Sequence, residues 1–572
     1  MMKVLLAALD SQYIHTNLAV RSLAQCCPAG VQPIIREYTI NQPLPQILFD
    51  LVRQEAQLVA FSCYIWNIEA VLRLCEDYRA ICPQATILLG GPEVSFDAKA
   101  LLAANRAVDM VLCGEGEEIF PRLLRRLQQG ASPEGLPGVV YRQGDTVLGD
   151  ESYQTVADLA SLPFPYAAGL PSKGRIVYYE SSRGCPFGCS YCLSGAIKGG
   201  VRELPLSRVK QELSFFDSHK VDLVKFTDRT FNANPSRAKE IVRYLLSNTH
   251  HTRFHFEIGA DLLDDELLDL LASAPPERFQ VEAGIQSCNP LTLRQVVRHT
   301  DLDRLQKNVA ALISSKRVHV HLDLIAGPPY EDLPSFARSF NWVYRLNPHQ
   351  LQLGFLKLLK GSALQRQASA LGLVCRRYPP YEVLKSDALS GEDLAKLKDV
   401  ETVVERYYNS GRAVRSLGYL LDDSSSNPFV FYRGLAEFCA RTGRLYRPLN
   451  AGEQLQALGE YVQTLPLEAC VAEPARFWEL LALDYLANGG KGSPPNVLAP
   501  LLSADVQPLV RQLKNDGKIT AVQTRRARFL LLKRNPFAAC STDGGYALAM
   551  IEPERCGPLD AQAGITFFPI VP

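Results

Sequence analysis

The sequence predicts an α/β chain: an N-terminal doubly wound parallel sheet, a partial (β/α)6 barrel, and a mostly helical C-terminal domain with a few strands. Three observations predict it. Short apolar runs alternate with helical patterns over residues 1–135. Six strand-like runs alternate with helical ones from Arg175 to about Lys360, as in an incomplete barrel. Beyond about residue 385 helical periodicity takes over, and strand-like runs return only near the end. The divisions expected are 1–135, a linker over 136–175, the barrel over 176–385 and a C-terminal domain over 386–572.

In the first domain the strand-like runs are 4–9, 58–63, 86–89 and 110–113. Ligands of doubly wound sheets gather at the carboxyl ends of strands. Here those ends carry Asp10-Ser11-Gln12-Tyr13, Ser62-Cys63-Tyr64-Ile65-Trp66-Asn67, Gly90-Gly91-Pro92-Glu93 and Gly114-Glu115-Gly116-Glu117. Small residues there let backbone approach a bulky ligand, although each glycine pair alone fits a tight turn equally well. The connector carries a hairpin signal at Gly138-Val139-Val140-Tyr141 and a linker signal at Leu162-Pro163-Phe164-Pro165-Tyr166.

The barrel opens with residues 176–179, followed at once by Cys185, Cys189 and Cys192 in a CxxxCxxC loop. Structural zinc closes its shell with four ligands, and a purely structural cubane usually takes four cysteines. Three thiolates on one loop therefore suggest an iron–sulfur site with an open iron. A zinc knuckle completed from elsewhere, or loop cysteines without metal, remain alternatives. Asn234-Pro235 marks a helix start. Along the strands, Phe254, Phe256 and Ile258 alternate with His255, Glu257 and Gly259, and Phe279, Val281, Ala283 and Ile285 with Gln280, Glu282, Gly284 and Gln286. Val318, Val320, Leu322 and Leu324 oppose His319, His321 and Asp323, and Leu351, Leu353 and Phe355 oppose Gln350, Gln352 and Gly354. The apolar set should meet the outer helices, leaving a polar lumen. Each buried polar group without a partner costs about 1–3 kcal/mol, so a polar occupant, or water along one face of the barrel, is expected.

In the last third, Ser390 and Asp393 form a capping-box pattern, Asn427-Pro428 starts another helix, and strand-like runs occupy 528–532, 547–551 and 565–570. Arg525, Arg526, Arg528, Lys533 and Arg534 read as a solvated strand edge, because a nucleic-acid patch needs more charge with interleaved aromatics. Net charge is +1, which sets up no field favouring polyanions. No apolar stretch reaches 18 residues, and the apolar run after Lys3 is too short for a secretory signal. Fifteen scattered cysteines argue against a disulfide framework, with Cys63, Cys113 and Cys439 read as buried thiols. A reducing cytoplasm is expected. No Ser/His/Asp motif, Walker loop or HExxH occurs, and His250-His251 reads as a solvated helix end.

The residues around the cysteine triplet, including Tyr191, resemble the radical S-adenosylmethionine (SAM) superfamily. The resemblance implies a [4Fe-4S] cluster on Cys185, Cys189 and Cys192 whose open iron chelates SAM and cleaves it to a 5'-deoxyadenosyl radical. Tyr191, Gly284-Ile285-Gln286-Ser287 with Glu282, and the segment from Asp323 through Ile325 to Pro329 resemble SAM-flanking motifs. Asp228, in Phe226-Thr227-Asp228-Arg229, is placed either on SAM or substrate, or in a local cap or a pair with Arg229. Tyr13-Ile14-His15-Thr16-Asn17-Leu18-Ala19 and Gly90-Gly91-Pro92-Glu93 resemble the cobalamin-binding domain of cobalamin-dependent radical SAM enzymes. Tyr13, Thr16, Asn17, Ser62, Gly90, Gly91, Gly114 and Gly116 are the cobalamin-contact expectations. Asp10-Ser11-Gln12 breaks the Asp-x-His pattern of corrinoid proteins with a histidine lower ligand, so His15 is read as a capping or loop-packing residue. The final third resembles the uncharacterised domain appended to many such enzymes. The implied function is methylation of an unactivated carbon in a small molecule or peptide, with ferredoxin or flavodoxin as electron donor. A cyclase or rearrangement enzyme with the same cofactors, and a zinc-binding interaction protein, are the rivals.

Overall fold

A computed structural model describes residues 1–197, 200–421, 426–466, 471, 473–490, 494–533, 546–555, 562 and 564–570; Arg534 of the basic cluster lies outside the described residues. Strands β1 (Met2–Asp10), β2 (Val31–Thr39), β3 (Leu58–Ser62), β4 (Thr86–Gly90) and β5 (Met110–Leu112) pair in parallel. The hairpin β6 (Val139–Gln143) and β7 (Thr146–Gly149) joins antiparallel to β5, giving the order β2-β1-β3-β4-β5-β6-β7. Leu5, Ala7 and Leu9 of β1 enter one apolar cluster and Val4, Leu6 and Ala8 the other, so the sheet is buried on both faces. β2 escaped the sequence reading because it is an edge strand. Gln32, Pro33, Arg36 and Glu37 interrupt any apolar run there, and an edge tolerates proline.

The barrel contains β8 (Val177–Tyr179), a two-residue ribbon of β9 (Ser182–Arg183) with β10 (Arg202–Glu203), then β11 (Leu223–Phe226), β12 (Arg253–Glu257), β13 (Phe279–Gln286), β14 (His319–Ala326) and β15 (Gln350–Phe355). Its six main strands run in parallel in the order β8-β11-β12-β13-β14-β15. Burial alternates residue by residue along β13, with Phe279, Val281, Ala283 and Ile285 against the helices. Asn234 Oδ1 accepts the Arg237 N–H at 3.3 Å and starts helix Pro235–Asn248. The backbone N–H groups of His250 and His251 donate to the Asp217 carboxylate while both residues stay exposed.

A short ribbon, β16 (Val374–Cys375) with β17 (Val383–Lys385), leads to helix Gly391–Val403, whose Ser390–Asp393 capping box is formed. The helix runs into a π-helical turn, Val404–Asn409. Helices Pro428–Arg441, Ala451–Val462 and Pro474–Ala487 follow, and β18 (Arg528–Leu532), β19 (Tyr546–Ile551) and β20 (Ile565–Ile570) form an antiparallel sheet. The barrel and these helices share one core, in which Phe340 and Tyr344 stack against Phe429 and Tyr432. Among the described residues no helix is long and apolar enough to cross a membrane.

Candidate functional site

The cysteine loop is held from three sides. Gly184, at φ +104°, packs where a Cβ would lie 2.1 Å from Gly200 O. Ser190 N–H donates to Val296 O at 2.9 Å, Leu364 N–H to Ser190 O at 2.8 Å, and Cys192 N–H to Cys189 O at 3.0 Å. Cys189 is buried, Cys185 and Cys192 are half-buried, and all three are free thiols. Cys185 Sγ lies 3.6 Å from Thr230 Oγ1, and an Arg298 guanidinium nitrogen lies 3.8 Å from Cys189 Sγ. Arg298 also donates to Gly284 O, tying this loop to β13; no local motif marks it in the sequence. Tyr191, half-buried behind Cys189, has its phenol pushed well up by burial.

Asp228 is fully buried and serves this loop. It accepts from Ser181 N–H at 2.8 Å, Ser181 Oγ at 2.6 Å and Ser182 Oγ at 2.6 Å, and does not pair with Arg229. Arg229 instead lies 3.9 Å from Glu257.

Below the loop the inward residues of β11–β14 form a charged lumen. Lys225 Nζ and His255 Nε2 lie 3.1 and 3.0 Å from Glu282 Oε2. His321 Nε2 faces Asp323 Oδ1 at 2.9 Å without the alignment of a hydrogen bond. Burial works against the charge of Glu282, but the His255 hydrogen bond and the Lys225 and His321 charges hold its carboxyl well below the usual range. Glu257 is pushed the other way, up to about 7, by burial and by repulsion from Glu282. Burial likewise raises Asp323, while burial against other histidines lowers His319 to about 4. Gln286 ends β13 at φ +70°, just after a register shift that re-aims the strand end. Buried Gln286 Oε1, Ser190 Oγ, His321 Nε2 and Asp323 Oδ1 have no hydrogen-bond partner, an arrangement a polar ligand would relieve. Ser287 is turned elsewhere, accepting from Asn289 N–H at 2.9 Å and bonding Glu331, and Ile325 is half-buried against the core.

Above the loop, a cavity of about 600 Å³ opens between the carboxyl ends of the first sheet and the barrel, within the range of small-molecule and cofactor pockets. Ser62, Gly90, Gly91, Gly114 and Gly116 line it from one side and Cys192 from the other. The glycines differ in their reasons. A Cβ at Gly91 (φ +112°) would lie 2.6 Å from Cys63 O, and one at Gly114 (φ +93°) 2.3 Å from Gln154 O, so both allow a neighbouring backbone segment to approach closely. A Cβ at Gly90 would meet nothing nearer than 3.9 Å, which leaves a cradle for a broad ligand. Tyr64 and Trp66 stack at 4.3 Å on the cavity wall.

Tyr13, Thr16 and Asn17 do not line this cavity. Tyr13 is exposed beneath the Arg175 guanidinium, Thr16 Oγ1 donates to Ile176 O, and Asn17 caps helix Leu18–Gln25. His15 is a packing residue, as its sequence context suggests: its Nδ1 lies 2.7 Å from Tyr178 Oη on β8. Ion pairs fasten the first domain to the barrel. Arg183 lies 3.0 Å from Glu115 and 2.7 Å from both Glu117 and Glu180, Arg175 lies 2.9 Å from Glu37, and Lys360 lies 3.1 Å from Glu93.

Comparison with known proteins follows these units. Residues 4–124 match the B12 binding domain, 179–343 the Radical SAM superfamily, and 369–527 a protein family of unknown function, DUF4080. The chain is 25% identical over 317 residues to the cobalamin-dependent radical SAM methyltransferase TokK of Streptomyces tokunonensis, covering 52% of this chain and 46% of that protein. It is 32% identical over 287 residues to the hopanoid C-3 methylase of Methylococcus capsulatus, covering 48% and 54%. It is 23% identical over 239 residues to the anaerobic magnesium-protoporphyrin IX monomethyl ester cyclase of a Synechocystis strain, covering 40% and 47%. The chain thus spans about half the length of the curated relatives it matches. Its fold resembles that of TsrM from Kitasatospora setae with cobalamin and a [4Fe-4S] cluster bound (TM-score 0.59, 16% identity, 78% of this chain and 99% of that one). It also resembles OxsB with aqua-cobalamin and SAM bound (TM-score 0.59, 13% identity, 91% and 82%). A B12 binding domain is thus laid against a Radical SAM domain in one chain, as in the cobalamin-dependent radical SAM enzymes it resembles, and the cofactors these two domains call for are cobalamin, a [4Fe-4S] cluster and SAM.

Proposed function

We propose that the chain is a methyltransferase acting on an unactivated carbon. One observation carries the reading: a single cavity is lined by the glycine turns of the first sheet and by Cys192, directly above a lumen with unpartnered polar atoms. When bound, the cluster with SAM supplies hydrogen-abstracting radical chemistry, and cobalamin supplies the methyl carrier. The chain's own residues then have separate tasks. Cys185, Cys189 and Cys192 would hold the cluster and leave one coordination position to a ligand, with Arg298 beside Cys189. Asp228 orders the strand end that presents the loop. Gln286, Glu282, Asp323 and the backbones of Tyr191 and Ile325 are the contacts proposed for SAM, and Ser62, Gly90 and Gly116 those proposed for cobalamin. Gly91 and Gly114 shape the turns of that site. The first domain, pinned by Arg183, Arg175 and Lys360, roofs the lumen and excludes water from the reacting groups.

The substrate is proposed to be a small molecule or a peptide, and the electron donor a ferredoxin or flavodoxin in the cytoplasm. Isotope transfer tests the reading. Anaerobically reconstituted enzyme, given methyl-labelled SAM, reductant and a substrate pool, should place label on carbon in a product. Cofactor-dependent turnover of substrate without label in any product would instead favour ring closure or rearrangement, the alternative that likeness to the cyclase supports. Tight binding of one zinc per chain with no SAM cleavage would refute both.

A further inference from the structure

Among the described residues the barrel sheet is open, and β8 and β15 each have an edge without a neighbouring strand. Such an edge offers bare N–H and C=O groups and a strand free to swing. Flanking domains take up both edges in the same way. At Ile176, which leads into β8, the N–H donates to Ile14 O at 2.8 Å and the C=O accepts from Thr16 Oγ1 at 2.8 Å. At Leu351 of β15, the N–H donates to Asn409 Oδ1 at 2.8 Å and the C=O accepts from Asn409 Nδ2 at 2.9 Å. The other hydrogen of Asn409 Nδ2 goes to Glu405 Oε1 at 2.7 Å, so three bonds fix the orientation of this amide.

Asn409 closes the π-helical turn that ends helix Gly391–Val403, and π-turns are enriched where a helix serves a site. In the same turn Tyr408 Oη donates to Pro348 O, and Lys398 Nζ in the preceding helix lies 3.4 Å from the centre of the Phe355 ring. The C-terminal domain therefore runs alongside β15 from one end to the other. On its paired side β15 carries the β14 segment Asp323–Ile325 in register with Gln352, Leu353 and Gly354. The side chains of Gln350 and Gln352, one on each side of Leu351, make no hydrogen bond among the described residues.

We propose that the C-terminal domain clamps the free edge of the barrel, with Asn409 as the positioning residue that holds β15, and through it the β14 wall of the SAM site, in place. The proposal rests on the reading of the lumen as the SAM chamber. Displacement of a supporting strand by 1 Å can cost about a hundredfold in rate, so a partly loosened clamp should have a smaller but measurable effect.

The test uses the full-length reconstituted enzyme carrying Asn409→Ala and, separately, Tyr408→Phe, which removes only a hydroxyl and carries the test if Asn409→Ala does not fold. Two readouts are taken: hydrogen–deuterium exchange of peptides spanning 350–355, and KM for SAM against kcat for 5'-deoxyadenosine release with a chemical reductant. Expected for Asn409→Ala are faster exchange at Leu351 and a rise in KM of about three- to tenfold, with kcat within about twofold. Iron and cobalamin contents should match the wild type. Tyr408→Phe should shift both in the same direction by less. Unchanged exchange in both variants, or faster exchange with unchanged KM, overturns the proposal. If the wild type cleaves no SAM, the functional reading fails, and the exchange result alone then decides the clamp.

Discussion

Cys189 shows how far one residue can be interpreted. Being buried, and close to Arg298, it should be indispensable to the cluster and irrelevant to the cavity above it. Cys189→Ala is expected to abolish iron and sulfide incorporation and 5'-deoxyadenosine release while cobalamin binding, followed by absorbance, is retained. Glu257 carries a pH effect. A carboxyl raised on folding to about 7 contributes to stability below its unfolded value of about 4.3 and loses that contribution as pH climbs through 7. Glu257→Gln should therefore gain stability relative to the wild type between pH 5 and pH 8. The gain should be at most about 2 kcal/mol, given a side chain 28% exposed; melting temperatures of the cofactor-free chain at the two pH values check it. The cysteines were legible because their chemistry is written within eight residues. Arg298 was not, because only folding brings it beside a loop more than a hundred positions earlier. Asp228 was singled out from its place at a strand end, yet which partners it takes depended on Ser181 and Ser182 arriving from another strand.

Among the elements, the strands and their faces could be read from two-residue alternation, since a side chain must point either to the helices or to the lumen. β2 was missed because an edge strand needs no apolar run, and the ribbons β9–β10 and β16–β17 because two or three residues carry no alternation. The π-helical turn was likewise invisible, as residues 404–409 fit helical periodicity and only contact with β15 sets the wider turn. The glycine turns separate structure from binding. Gly91→Ala should destabilise the first domain by about 1–3 kcal/mol, through its positive φ and the crowding at Cys63 O, and lower the melting temperature. Gly90→Ala should leave that temperature within error but weaken cobalamin retention on gel filtration, since its Cβ would make only an ordinary contact with Leu112 and otherwise face the cavity.

For the molecule as a whole, Arg183 joins the barrel to Glu115 and Glu117 of the first domain and also pairs with Glu180 beside it, with its side chain 19% exposed. Arg183→Ala strips the partner from Glu117 and Glu180 and should cost about 3–5 kcal/mol of interdomain stability. Calorimetry should then show the first domain melting apart from the barrel, and cobalamin loss at lower temperature. Arg183→Lys should recover only part of this, because a single ammonium cannot span three carboxylates. By itself the sequence determined the strand rhythm of the two sheets, the three-cysteine loop and the polar lumen, because periodicity and short motifs are local and survive without knowledge of contacts; the class of cofactors came through the resemblance to a known family. Tertiary structure alone decided that Thr16 and Asn17 serve edge and cap, that Asp228 anchors the cysteine loop, and that Asn409 reaches β15. Each of those roles depends on hydrogen-bond partners distant in the chain or on a cavity that exists only once the domains have packed.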